Sequence, residues 1–170
     1  MKVFNRFCEK VPKYDKRYSS SLFDLLTQKG GGSQEKMKSV GKQFENNYEL
    51  YIYAFFLGYY NQYKKPLGRV HKTDFSHPIG RWGFKARSLD RKNHTWVQKA
   101  LFVTAVNDLD DQIISYDKGE LSLDEIVSAI INIIEEYTNG GLEILEEKIE
   151  DGLNLMKPEV FLESIIESVR

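Results

Sequence analysis

Between Glu45 and Tyr63 the chain places apolar or aromatic residues on nearly every side of a helical wheel, with no turn signal inside the stretch. That pattern predicts a helix at the centre of the fold rather than on its surface. A buried strand is the competing reading, and the length of the stretch favours the helix. Thr95 can cap a second helix from Trp96 to about Ser115, with Val97, Leu101, Val103, Ala105, Leu109 and Ile113 at its apolar positions. Ser122 and Glu125 form a capping box that opens a third, whose buried side carries Ile126, Ala129, Ile130, Ile133, Ile134 and Tyr137. Asn139, Gly140 and Gly141 are expected to stop it before a further helix from about Leu142 to Ile149. Pro158 is placed to begin a last one with Val160, Phe161, Ile165 and Ile166 apolar.

The remaining segments lack such periodicity. Residues 1–18 read as an arm, irregular or briefly helical, and Ser19 to Ser21 can cap a short helix that ends at Gly30, Gly31 and Gly32. Residues 30–34 read as a flexible turn. They lack both the Gly-Lys-Ser/Thr ending and the preceding apolar strand of a phosphate loop. Pro66, Gly68, Pro78, Gly80 and Gly83 break residues 64–94 into a long loop, with short strands credible only around Gly68 to Phe84. The expected fold is mainly α: one compact helical domain over 1–170, with this loop between a buried central helix and the C-terminal helices.

Composition sharpens the picture. A chain of 170 residues suits one core, and 41% hydrophobic with 29% charged residues excludes disordered, collagen-like and disulfide-scaffold classes. A single cysteine, Cys8, and no secretory leader point to the cytoplasm. The most apolar run, Tyr48 to Tyr60, falls short of the roughly 20 residues of a membrane span.

The net charge of −1 conceals a division. Residues 1–100 carry 20 Lys and Arg against 8 Asp and Glu, whereas residues 101–170 carry 4 against 17. Ten of the basic residues lie in 61–99, facing only Asp74 and Asp90. The basic middle can pair internally with the acidic C-terminal helices, or it can meet a polyanion or an acidic partner. Its cations interleave with Phe75, Trp82, Phe84 and Trp96, a mixture suited to phosphate contact and base stacking. The candidate contact residues are Lys64, Lys65, Arg69, Lys72, Arg81, Trp82, Lys85, Arg87, Arg91 and Lys92. The competing reading makes the aromatics core anchors of the loop.

Catalytic signals are sparse. His71 and His77 are six residues apart in a proline-containing loop, a spacing that sets no metal geometry. Asp108, Asp110 and Asp111 suit an exposed acidic face better than a cation site. Cys8 has no local activating group. No cofactor or metal is expected.

The stretch ELYIYAFFLGYYNQYKKPL, with Ala54 and Gly58 in an apolar helix followed by Pro66 and Leu67, resembles the small accessory proteins of bacterial DNA phosphorothioation (Dnd-type) modification and restriction systems. EEYTNGGLEIL, with Glu135, Tyr137, Asn139, Gly140 and Gly141, is similar to a helix junction in such proteins. The resemblance implies an accessory of a DNA-modification or anti-phage defence system acting beside larger proteins, and it brings no catalytic residues. The leading expectation is therefore a non-catalytic adaptor, touching nucleic acid or an acidic partner with its basic middle and a protein with its acidic C-terminal helices, away from any membrane. Two alternatives remain: a small metal-dependent nuclease or phosphoester hydrolase using His71, His77 and Asp108 or Asp111, and a homo-oligomeric interaction protein.

Overall fold

Helix dominates the chain, as its periodicities predict. The computed structural model describes residues 2–28, 43–68, 71–75, 77–84 and 94–152, with Glu159 and Glu163 beyond them. Its elements are α1 (Lys2–Cys8), β1 (Lys13–Asp15), a π-helical turn (Ser19–Phe23) running into α2 (Asp24–Leu26), α3 (Asn47–Tyr60), β2 (Lys72–Asp74), a 3-10 turn (Ile79–Arg81), α4 (Trp96–Val106), α5 (Asp110–Asp117) and α6 (Leu123–Glu150). The two strands pair in a small sheet. Among the described residues no helix is long and apolar enough to cross a membrane. The glycine turn at 30–34 and the helix expected from Pro158 lie outside the described residues.

The chain divides into two compact units, one of Met1–Lys13 with Asp74–Ile134 and one of Tyr14–Thr73 with Glu135–Arg170. In the first, the arm is helical because Phe7 is fully buried, and its ring meets Phe102 of α4 edge-on at 5.3 Å between centroids. Leu101, Ala105, Leu109, Ile126, Val127, Ile130 and Ile134 complete that core. The capping box is present at the start of α6. The Ser122 N–H donates to Glu125 Oε2 at 2.7 Å, and the Glu125 N–H donates to Ser122 Oγ at 3.3 Å.

The helix expected over 96–115 is two helices. Asn107 and Asp108 form a turn after α4, in keeping with short polar side chains that compete for backbone hydrogen bonds. Leu109 then leaves helical geometry (φ −128°, ψ 32°) and is buried. Asp110 and Asp111 follow in the first turn of α5, where the helix dipole favours acids.

The second unit holds the larger departure. Asn139, Gly140 and Gly141 do not stop a helix; α6 runs through them without interruption. A glycine inside a helix costs about 1 kcal/mol relative to alanine, which is why the pair reads as a terminus. Here a side chain has nowhere to go. A Cβ on Gly141 would stand 1.8 Å from the Ala54 carbonyl oxygen, one on Gly58 2.1 Å from that of Tyr137, and one on Gly140 2.2 Å from that of Tyr63. Backbone thus meets backbone where α3 and the chain just beyond it lie on α6. Residues 137–142 are buried at six consecutive positions, so this turn of helix is enclosed on all sides rather than amphipathic. The Lys65 N–H donates to the Glu136 carbonyl at 3.0 Å, and Asn139 Nδ2 donates back to the Lys65 carbonyl at 3.2 Å. Phe55 and Tyr59 set their rings edge-on against Tyr137 at 6.1 and 5.3 Å.

Gly141→Ala should therefore destabilise the protein by about 1–3 kcal/mol, the cost of overpacking, although helix propensity alone would make it stabilising. Gly68→Ala, where an added Cβ meets nothing within 4 Å, should stay within about 0.5 kcal/mol of the parent. Urea unfolding of both variants checks the contrast.

Candidate functional site

The loop ahead of α4 and the start of that helix sort their four aromatic rings by burial. Phe75 and Trp82 are buried and meet edge-on at 5.2 Å. Phe84 and Trp96 are 60% and 63% exposed. Trp82 donates from Nε1 to the His77 carbonyl at 3.2 Å. Gln98, buried on α4, donates from Nε2 to the carbonyls of Trp82 (2.7 Å) and Gly80 (3.2 Å). Glycine is required twice here. A Cβ on Gly80 would lie 2.9 Å from the Cys8 carbonyl oxygen, and Gly83 turns at φ +78° against His94, whose N–H donates to the Gly83 carbonyl at 2.8 Å.

These contacts determine what lies on the surface. Arg81 sits between the two residues held by Gln98, and Lys99 is the next residue after Gln98; both are exposed. Phe84 and Trp96 each lie one or two residues from the Gly83–His94 contact. Trp96, Lys99 and Val103 recur at helical spacing along α4, and Val103 is also largely exposed. Among the described residues neither Arg81 nor Lys99 pairs with an acid.

The other candidate cations differ. Lys65 joins Arg17 on the Glu143 carboxylate, Arg17 Nη2 at 3.1 Å, and the Tyr63 hydroxyl donates to its other oxygen at 2.7 Å. Partial burial pushes the Glu143 carboxyl up, but the hydrogen bonds from Lys65, Tyr63 and Arg17 outweigh it and bring its pKa down to about 2. Lys64 lies 4.8 Å from the centroid of the Tyr137 ring. The N-terminal arm is also engaged: Arg6 and Lys10 pair with Asp124 at 2.9 and 3.6 Å, and Lys13 with Asp74 at 3.6 Å. Lys72 is exposed on β2. Arg69, Lys85, Arg87, Arg91 and Lys92 lie outside the described residues. Trp82 is an internal anchor with 1% exposure, so its ring has no face open to a ligand; the sequence does not distinguish it from its exposed neighbours Phe84 and Trp96.

His71 belongs to one unit, and His77, Asp108 and Asp111 to the other. Among the described residues no three His, Cys, Asp or Glu side chains gather as metal ligands. The Cys8 thiol has its pKa raised by burial, so it stays protonated near neutral pH and is a weak nucleophile.

A model of the family described as DNA sulphur modification system-associated protein 4 matches residues 33–167. The chain belongs to this family. No curated protein and no solved structure matches the chain significantly. The family match bears out the Dnd-type resemblance. The two stretches that carry the resemblance, around Ala54 and Gly58 and around Gly140 and Gly141, are the two sides of one backbone-to-backbone crossing. The exposed aromatic and basic residues also lie within the matched span, whereas α1, β1 and α2 precede it.

Two outcomes follow. Gln98→Ala leaves two carbonyls without their donor and should cost about 1–3 kcal/mol, with new protease cleavage in residues 77–84 as the local readout. Glu143 has its pKa lowered in the fold, so its contribution is present above the ordinary carboxylate value of about 4.5 and is lost as pH falls toward about 2. The stability gap between the parent and Glu143→Gln should accordingly narrow across that window, read by urea midpoints at successive pH values.

Proposed function

We propose that this member of the Dnd-associated family is a non-catalytic accessory of a bacterial DNA-modification or defence system, acting in the cytoplasm. In this reading it contacts DNA through the surface formed by Arg81, Phe84, Trp96 and Lys99. One observation carries it: Arg81 and Phe84 on the loop, and Trp96 and Lys99 on α4, are all exposed, the two cations have no acid partner among the described residues, and Gln98 of α4 holds the loop at residues 80 and 82. Exposed cations release counterions from a phosphate backbone on binding, and the buried clamp keeps them in place. The family's association with DNA sulphur modification makes DNA the polyanion at hand. Glu147, Glu150 and Asp151, at the end of α6, offer the acidic face through which a larger protein of the system would be met.

The test is fluorescence anisotropy with labelled single-stranded and duplex DNA across a salt series. Binding should weaken steeply with salt. Arg81→Ala with Lys99→Ala should reduce the slope of log affinity against log salt by about 2, roughly one for each phosphate left without its cation. Absence of binding at low salt overturns the reading.

A further inference from the structure

Resting on that DNA-contact reading, we propose that the surface takes unpaired bases: Phe84 and Trp96 stack on the bases of single-stranded DNA while Arg81 and Lys99 hold the flanking phosphates. Binding to a duplex backbone needs cations and hydrogen-bond donors, but no aromatic faces. The loop is able to bury its rings, as Phe75 and Trp82 show. Phe84 and Trp96 nonetheless remain 60% and 63% exposed, at a cost in unburied apolar area.

Their placement is constrained rather than loose. The left-handed turn at Gly83 and its hydrogen bond with His94 bring the segments bearing the two rings together. Gln98 ties residues 80 and 82 to the same helix that carries Trp96. Along α4, Lys99 falls one turn beyond Trp96 and Val103 one turn beyond Lys99, so apolar and cationic groups alternate on one face. A single strand alternates base faces with phosphates in the same way. In a duplex those base faces are covered by their neighbours. The charge sign is complementary too, since 77–84 and 94–103 contain two cations and no carboxylate.

The chain has two tryptophans, and Trp82 is buried, so iodide quenching of the full-length protein reads Trp96. Oligo-dT should protect Trp96 from iodide. Phe84→Ala and Trp96→Ala should each weaken oligo-dT binding at least about fivefold, the low end for removing one base stack, while the salt slope is retained. Both side chains are exposed, and thermal melts matching the parent verify that the variants fold. Duplex binding as tight as oligo-dT binding, or full affinity in both aromatic variants, overturns the stacking proposal and leaves the DNA-contact reading intact. Parent protein that binds neither form of DNA overturns both.

Discussion

The crossing of α3 over α6 is the constraint on which the second unit depends. Its contact surface is peptide backbone, because Gly58, Gly140 and Gly141 leave room for the carbonyls of Tyr137, Tyr63 and Ala54. Side chains pack around the crossing: Phe55, Tyr59 and Tyr137 form an aromatic wall, and Leu50, Leu57, Leu142 and Leu145 fill the space beside it. Two helices this close exclude water from their shared turn, so polar groups there need internal partners. The exchange between Lys65 and the Glu136 and Asn139 positions answers that need for the chain leaving α3. It also places Lys65 and Tyr63 where Glu143 can receive both. The ion-pair cluster is thus a consequence of the crossing. Its partly exposed pairs add modestly to stability, but they fix where the basic residues after α3 lie.

Much of this organisation is legible in the sequence, and the departures have a common physical origin. Capping at Ser122 is readable because the box is local, and the buried centre at α3 is readable because apolar residues surround it. The break at Asn107–Leu109 and the continuity of α6 through Gly140 and Gly141 escape such reading because tertiary contacts decide them. Leu109 gains burial by leaving the helix, whereas Gly140 and Gly141 gain close packing by staying in it. Propensity weighs neither gain. The two stretches of the family resemblance hold the missing information: Gly141 in one meets Ala54 and Gly58 in the other, and Gly140 meets Tyr63 just beyond α3.

The charge asymmetry along the chain resolves into two uses that composition cannot separate. Several cations of the arm and of the segment after α3 are matched by carboxylates: Arg6 and Lys10 by Asp124, Lys13 by Asp74, Arg17 and Lys65 by Glu143. Arg81 and Lys99 have no such match among the described residues. Internal pairing therefore accounts for part of the positive block and leaves Arg81 and Lys99, like Lys72, exposed. The aromatic residues divide in the same manner, Trp82 inward and Trp96 outward, and sequence offers no cue to tell them apart because each has basic and polar residues close by.

That division bears on how an exposed surface can be selective. A loop rich in glycine and proline would lose conformational entropy each time a ligand ordered it, and specificity of position would suffer. Here the inward half, Phe75, Ile79 and Trp82, is ordered during folding, with Gln98 holding the loop carbonyls. The outward half inherits a fixed geometry. Cations alone on such a scaffold would favour any polyanion through long-range attraction that salt screens. Aromatic faces add a short-range attraction that salt hardly touches and that only an exposed base face can satisfy. Selectivity on this surface would therefore come from Phe84 and Trp96, and affinity at low salt from Arg81 and Lys99.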